Sequence, residues 1–399
     1  MSTEVPPVEV APSEAAPVEE VKVCDNFDDM GLPEALLRGI YAYGFQRPSD
    51  IQSKGVIPIK EKRDLIAQAR SGTGKTGTFC IGSLSHIKPE VKKVQVLVIV
   101  HTRELAQQIR SVAAALGEFM GITAYSATGG TPIREDLKAI ERGVHFVVGT
   151  PGRIYDLMTR RALSRDMIRV LVLDEADQML EDRFKEQVIC ILEQGFPQDC
   201  QIALFSATMP TEVAEFAEKI LKNPVRILVP PEEVTLDGIK QYFVALEREE
   251  WKYDVLCDLY QQLTINQALI YCNKRHKAEW LAEKMRQDGF PISFIHGEMD
   301  PEERSRRMKE FRAGQARIMI STDLLARGID VQQVSVVINY ELPTQQENYI
   351  HRIGRSGRFG RKGTAINLVS PEEMRMLETI KTHYSTQIVT LPEDLASLV

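Results

Sequence analysis

What most limits the folds open to this chain is a set of short, unbroken apolar runs. Five lie in the first half ("DLIAQA", "VQVLVIV", "HFVVGT", "RVLVLDEAD" and "QIALFSAT") and five in the second ("QALIYCN", "PISFIHG", "RIMISTD", "VSVVINY" and "GTAINLVS"). They do not alternate polar with apolar, so each strand must be covered on both faces. Helical patterns such as "RELAQQIRSVAAALGEF" and "KAEWLAEKMRQ" lie between them. That rhythm predicts α/β architecture with a parallel, doubly wound sheet. At 399 residues the chain is too long for one compact core. The stretch "VPPEEVTLDG", Val229 to Gly238, interrupts the rhythm with two prolines, three acids and a glycine, and reads as a short linker. The expected organisation is an acidic, proline-rich tail over residues 1–23, an α/β domain over 24–228, a linker over 229–238 and a second α/β domain over 239–399. The tail has no aromatic residue to bury and is expected to be disordered.

In both halves polar and glycine-rich residues follow the strands, and those carboxyl ends are where open α/β sheets place ligands. Net charge is −7, which argues against one broad basic face; any nucleic acid must be gripped in a local groove. The six cysteines form no Cys-x-x-Cys pair, so buried thiols are expected rather than zinc. No apolar run approaches the ~20 residues that cross a bilayer, and no membrane is expected. The acidic, proline-rich start does not resemble a signal peptide.

"AQARSGTGKTGTF", Ala67 to Phe79, follows the strand "DLIAQA" and opens a helix. Small residues at Ala69, Ser71, Gly72, Thr73 and Gly74, with Arg70 among them, would let backbone N–H groups close around phosphates. Lys75 would reach the β and γ phosphates, Thr76 would ligate Mg²⁺, and the helix N-terminus adds partial positive charge. Ala69 stands where such loops usually begin with glycine. The plain alternative is a small-residue turn.

"RVLVLDEADQML" ends an apolar strand on Asp174, Glu175 and Asp177. Carboxylates so close together repel one another and resist burial. Opposite an Mg-nucleotide, Asp174 would hold the metal and Glu175 would orient the attacking water. A solvated loop is the alternative. "YIHRIGRSGRFGRKG" spaces Arg352, Arg355, Arg358 and Arg361 three apart. It is either a solvated basic face or a source of arginine fingers supplied from the second domain. In "YGFQRPSDIQ", Phe45 would stack on a base and Gln52 would read an adenine edge; equally, they are a core aromatic and a surface amide. A scattered set completes the inventory: "HTRELA", "TGG", "TPGR", "CNKR", "HGEM" and "STD", carrying Arg103, Gly129, Gly130, Thr150, Gly152, Arg153, Asn273, Gly297 and Thr322. Each alone is a capped turn. Together, with few aromatics, they suit a sugar-phosphate backbone held without sequence readout.

These motifs, in this order, resemble the DEAD-box RNA helicases from about Phe27 to the C-terminus. "GF-x-x-P-x-x-IQ" is similar to the Q motif, "SGTGKT" to motif I, "DEAD" to motif II, "SAT" (Ser206–Thr208) to motif III, "STDLLARGID" to motif V and "HRIGRSGR" to motif VI. "FDDMGLPEALLRGIYAYGF", "NPVRILV" and "YSTQI" resemble the initiation factor 4A subfamily, which includes an exon-junction branch. "DLLARGIDVQQVS" leans to translation and "EREEWKYDVLCDLYQQLTINQALIYCN" to the exon junction. The resemblance implies two RecA-like domains around an ATP and Mg²⁺ cleft, with single-stranded RNA on the opposite side. It implies adenine selection by Phe45 and Gln52, nucleotide contact at Gly328 and Asp330, phosphate contact at Arg355 and Arg358, and coupling of ATP state to RNA through Asp177 and the SAT stretch. RNA preference would come from 2′-hydroxyl contacts. It further implies an mRNA-unwinding translation factor, monomeric on its own and cytoplasmic, with a scaffold protein of the initiation complex as partner. The rival is an RNA clamp with exon-junction partners and a nuclear place; a P-loop ATPase acting on DNA or small molecules is the remote alternative. His101, Arg70 and Pro301 depart from the family's Pro, Gln and Gln.

Overall fold

The computed structural model describes residues 22–69, 72–180, 182–228, 238–263, 267–326, 334–356 and 363–392. The tail to residue 21, the linker to residue 237, and Arg70, Ser71, Gly328, Asp330, Arg358 and Arg361 lie outside the described residues.

The chain forms two seven-stranded sheets, each wholly parallel in its pairing. The first holds β1 (Leu65–Gln68), β2 (Val96–Ile99), β3 (Ala124–Ala127), β4 (Phe146–Gly149), β5 (Val170–Asp174), β6 (Gln201–Ser206) and β7 (Val225–Ile227), in the order β3-β4-β2-β5-β6-β1-β7. The second holds β8 (Ile239–Ala245), β9 (Ala268–Tyr271), β10 (Ile292–Ile295), β11 (Ile318–Ser321), β12 (Val336–Asn339), β13 (Gly363–Val369) and β14 (Val389–Thr390), in the order β10-β11-β9-β12-β13-β8-β14. The central strands are buried along their whole length, which is why Val, Ile and Leu run through them without alternation. Each fully buried Val or Ile contributes about 1.5–3 kcal/mol of transfer free energy. Apolar clusters lie on both faces of each sheet.

Strand register delivers the functional loops. β5, β6 and β1 are neighbours, with Asp174 level with Phe205 and Gln68 level with Ser206. The phosphate loop, the acidic turn and the SAT stretch therefore emerge from one edge of the first sheet. In the second sheet Ile295 and Tyr271 are both level with Ser321, and Asn339 is level with Tyr271. That brings the loops carrying Asn273, Gly297, Thr322 and Glu341 together.

Helix starts are set locally. Thr102 caps the helix Arg103–Leu116, its hydroxyl accepting from Leu105 N at 3.4 Å. Asp300 caps Pro301–Arg312, accepting from Glu302 N at 2.9 Å and Glu303 N at 3.2 Å. Pro301 thus occupies the first helical position, where its missing N–H costs nothing.

Candidate nucleotide and RNA site

After β1 the chain turns through Gly72 (φ 86°) and Gly74 (φ 108°) into the helix Lys75–Leu84. Only glycine adopts such angles freely. Gly74 has a second constraint: a Cβ there would lie 2.6 Å from Ser49 Oγ and 2.8 Å from Gln52 Nε2. The Phe45–Gln52 region is thus packed onto the phosphate loop. Gln52 is buried; its Oε1 accepts from Ser49 N at 2.9 Å and its Nε2 faces Gly74 O at 3.4 Å. The surface-amide alternative fails, and the amide faces the loop that would carry phosphates. Phe45 is half-buried, stacked 6.3 Å from Phe27 and edge-on to Tyr43 at 4.9 Å.

Across from that loop, β5 ends on Asp174, and Asp174 and Glu175 are each 2% exposed. The solvated-loop alternative fails too. Glu175 holds φ 54° and ψ 53°, a left-handed conformation a residue with a Cβ seldom takes. Strain of this kind is worth about 1–3 kcal/mol and gathers at functional sites. Lys75 Nζ stands 3.4 Å from Glu175 Oε1, both buried. Asp174 Oδ1 accepts from Glu175 N at 3.0 Å. Burial, then the neighbouring Glu175 carboxylate, pushes the Asp174 carboxyl up to about 7 despite Lys75. A divalent cation is the counter-charge this oxygen site lacks, and Thr76 lies half-buried in the first turn of the adjoining helix. Among the described residues no group of three or more His, Cys, Asp or Glu forms a self-contained metal cage. Asp174 and Thr76 fit Mg²⁺ held mainly by phosphate and water oxygens.

Asp177 joins three motifs. Its Oδ1 accepts from Ser206 Oγ at 2.9 Å and its Oδ2 from Thr208 Oγ1 at 3.0 Å, while His351 Nε2 of the second lobe lies 3.3 Å from Oδ2. A second bridge crosses between the lobes where Arg304 Nε meets Glu104 Oε1 at 2.6 Å, largely shielded from solvent.

Arg352 and Arg355, the two arginines of the stripe among the described residues, part company. Arg352 is fully buried and bonds Asp323 at 2.5 and 3.1 Å, Glu341 O at 2.7 Å, Asn273 Oδ1 at 2.7 Å and Asn339 Oδ1 at 3.3 Å, over the Tyr271 ring. It is neither a solvated face nor a finger; it ties the loops of the second lobe together. Arg355, one turn on and also buried, donates Nε to His351 O at 3.2 Å.

A cleft of about 940 Å³ runs between the lobes. Arg103, Gly129, Thr150, Asn273, Gly297 and Thr322 line it, along with His101, Arg275, His296 and Arg304. Arg103 donates to Gly129 O, and burial, then Arg304, lowers its pKa. Asn273 lends the cleft its backbone, because its side chain is committed to Arg352 and to Leu342 O at 2.8 Å. His296 is paired with Glu279 at 3.0 Å, and burial lowers its pKa. Gly130, Gly152 and Arg153 are not among the lining residues. Gly130 lies against Arg103 and Pro301: a Cβ there would run into the Arg103 guanidinium and lie 3.0 Å from Pro301 Cγ. Gly152 packs near Gln187, and Arg153 pairs with Asp136. The sequence reading missed Gln178, Phe184, Thr344, Gln345 and Asn348 in the lining. The last three follow the strand "VSVVINY", and the rule that strands end in site residues, applied there, would have found them.

Residues 49–216 match the DEAD/DEAH box helicase family and residues 251–360 the helicase conserved C-terminal domain. The chain is 54% identical over 377 residues to the ATP-dependent RNA helicase eIF4A of Mycosarcoma maydis, covering 94% of this chain and 92% of that one. Among solved structures it resembles S. cerevisiae Dbp5 bound to RNA and ADP BeF3, with a TM-score of 0.86, 37% identity, and coverage of 92% of this chain and 95% of that one. A Dbp5 variant bound to nup159, gle1, ip6 and adp fits less well, with a TM-score of 0.63 at 35% identity over 91% of this chain and 96% of that one. The lobes here are therefore disposed as in the RNA-bound neighbour. The chain belongs to the DEAD-box ATP-dependent RNA helicases, in the eIF4A group.

Proposed function

We propose that this protein separates RNA strands locally, driven by RNA-stimulated ATP hydrolysis, and that it serves translation initiation. The observation that carries the reading is the buried pair Lys75–Glu175 on one side of Asp177 and the second-lobe His351 on the other. The hydrolytic pair and a contact between the lobes are thus carried by one short stretch of chain, Asp174–Asp177.

Lys75 and the loop Ala69, Arg70, Ser71, Gly72, Thr73 and Gly74 hold the triphosphate through backbone N–H groups and one ammonium. Phe45 stacks against the adenine, and Gln52 steadies the loop beneath it as well as facing the base. Bound Mg²⁺, held by Asp174 and Thr76, would neutralise phosphate charge. Glu175 orients the attacking water and accepts its proton. Arg355 and Arg358 stabilise charge on the transferred phosphoryl group, with Gly328 and Asp330 beside the nucleotide. Arg103, Gly129, Gly130, Thr150, Gly152 and Arg153 of the first lobe, and Asn273, Gly297 and Thr322 of the second, grip the RNA backbone directly or from just behind it. Because the grip is divided between lobes, closure on ATP creates it and phosphate release dissolves it. A strand bent in the closed clamp cannot stay paired.

The name of the eIF4A relative supports the translation role; a cytoplasmic place and an initiation-complex scaffold as partner belong to the proposal as what that role requires. Among the described residues no helix is long and apolar enough to cross a membrane. The test is a strand-separation assay with a short RNA duplex. The reading expects ATP-dependent release, with RNA but not DNA stimulating hydrolysis. ATP-dependent retention of RNA for minutes without strand release would favour the exon-junction clamp instead.

A further inference from the structure

Three Ser-Pro or Thr-Pro pairs occur among the described residues: Thr131-Pro132, Thr150-Pro151 and Ser370-Pro371. Burial separates them. Ser370 is 4% exposed and holds a capping box with Glu373. Thr150 is half-buried at the start of the helix Pro151–Thr159. Thr131 is exposed, in the loop between β3 and the helix Ile133–Glu141, with Gly129 and Gly130 before it.

Thr131 also has a cation beside it. Arg153 Nη2 donates to Thr131 O at 2.7 Å, and Arg153 Nη1 lies 3.5 Å from Thr131 Oγ1. Arg103 donates to Gly129 O two residues earlier. Gly129 and Arg103 both line the interlobe cleft. A dianion on Thr131 would therefore sit beside the Arg153 guanidinium, two residues from the Gly129 carbonyl that Arg103 holds at the cleft.

We propose that Thr131 is a phosphorylation site for a proline-directed kinase, and that its phosphate releases RNA from the clamp. The kinase moves the γ-phosphoryl group of its own ATP to Thr131 Oγ1. An Oγ1–P bond forms, the bond from that phosphorus to the β,γ-bridging oxygen breaks, ADP departs, and the hydroxyl proton passes to the kinase's base. The new group adds about −1.5 to −2 charge and three acceptor oxygens. Arg153 exchanges part of its pairing with Asp136 for the phosphate, and Arg103 is drawn toward it. RNA phosphates then meet a like charge where a cation had been. The effect on RNA rests on the backbone grip proposed above.

The site is gated by closure. Gly130, adjacent to Thr131, packs against Pro301 of the second lobe, so the kinase needs the open clamp to extend this loop. RNA with a non-hydrolysable ATP analogue should slow modification.

The full-length protein is treated with a proline-directed kinase, the phosphate is located by mass spectrometry, and RNA affinity is measured before and after phosphatase. Phosphate at Thr131, an RNA affinity at least tenfold weaker that phosphatase restores, and a Thr131→Val protein whose RNA affinity the kinase treatment leaves unchanged are expected. No phosphate at Thr131, or a Thr131-phosphorylated protein that binds RNA as tightly as the unmodified one, overturns the inference. Arg103→Ala in unmodified protein tests the grip separately: unchanged RNA affinity there would remove the grip reading, whatever the kinase does.

Discussion

The two lobes share a sheet order yet use their polar residues in opposite ways. In the first, Asp174 and Glu175 are buried close together, one with a raised pKa and the other with a left-handed backbone. In the second, the largest buried polar group, Arg352, has all its donors engaged with Asp323, Asn273, Asn339 and Glu341. The first lobe keeps one carboxyl, Asp174, costly to ionise, a cost that a ligand-borne cation would offset. The second is balanced within itself, so that Arg355, three residues beyond Arg352, is held on a rigid support. The contrast predicts that substitutions in the first lobe change rates with little loss of stability, and that the reverse holds at Arg352.

The largest expected effect is at Glu175. Glu175→Gln keeps size and backbone but removes the proton acceptor, so turnover should fall by about 10³ or more while ATP affinity stays within threefold. Steady-state hydrolysis and nucleotide titration check this; retained turnover removes Glu175 from the chemistry. Next is Arg355→Ala, expected to slow hydrolysis by about 10²–10³ with unchanged RNA affinity in the absence of nucleotide. A large nucleotide-free RNA defect would assign that arginine to RNA. Arg352→Ala should behave as a stability mutant. Stranding the buried Asn339 amide and the half-buried Asn273 and Asp323 costs about 2–3 kcal/mol, read as an earlier denaturant midpoint for the second lobe. Arg352→Lys should not rescue it, since one ammonium cannot meet the same fork of acceptors.

Asp174 gives the pH dependence. Its carboxyl is raised from 3.8 to about 7, so this group favours the folded apoprotein at low pH, and that contribution is lost as pH rises from 3.8 through about 7. Asp174→Asn should therefore raise apoprotein stability at pH 8, by roughly 2 kcal/mol, while removing activity. In the wild type, binding of Mg-nucleotide near pH 6.5 should release a proton, measurable by calorimetry in buffers of different ionisation enthalpy. Smallest is the seam itself: a double-mutant cycle of Glu104→Gln and Arg304→Met should give a coupling of about 1 kcal/mol in the RNA-and-nucleotide-bound state, and none without ligands.

The sheets were readable because buried parallel strands leave a plain apolar signature, and "DLIAQA" through "GTAINLVS" mark ten of the strands directly. The edge strands Ala124–Ala127 and Val225–Ile227 were not among those runs; they are short and carry Ala, Tyr, Ser or Arg, because an edge needs less covering. Asp174, Glu175 and Lys75 were legible as neighbours because each lies at or just beyond the end of a strand. Spacing alone did not separate Arg352 from Arg355, since it says nothing of what each meets; only the family resemblance assigned Arg355, and not Arg352, to the phosphates. Asn273 lines the cleft, but only the fold reveals that its side chain is already occupied by Arg352 and Leu342. That Gly130 lies between Arg103 and Pro301, the latter 171 positions away in the sequence, is visible only in the fold.

The central claim is that nucleotide and RNA together draw the lobes into the arrangement in which Asp177 meets His351 and Glu104 meets Arg304. Single-molecule energy transfer between dyes placed one on each lobe measures this directly. A shift from a broad, low-efficiency distribution to a narrow, high-efficiency one, only when an ATP analogue and RNA are both present, is the predicted result. Identical distributions with and without both ligands would contradict it.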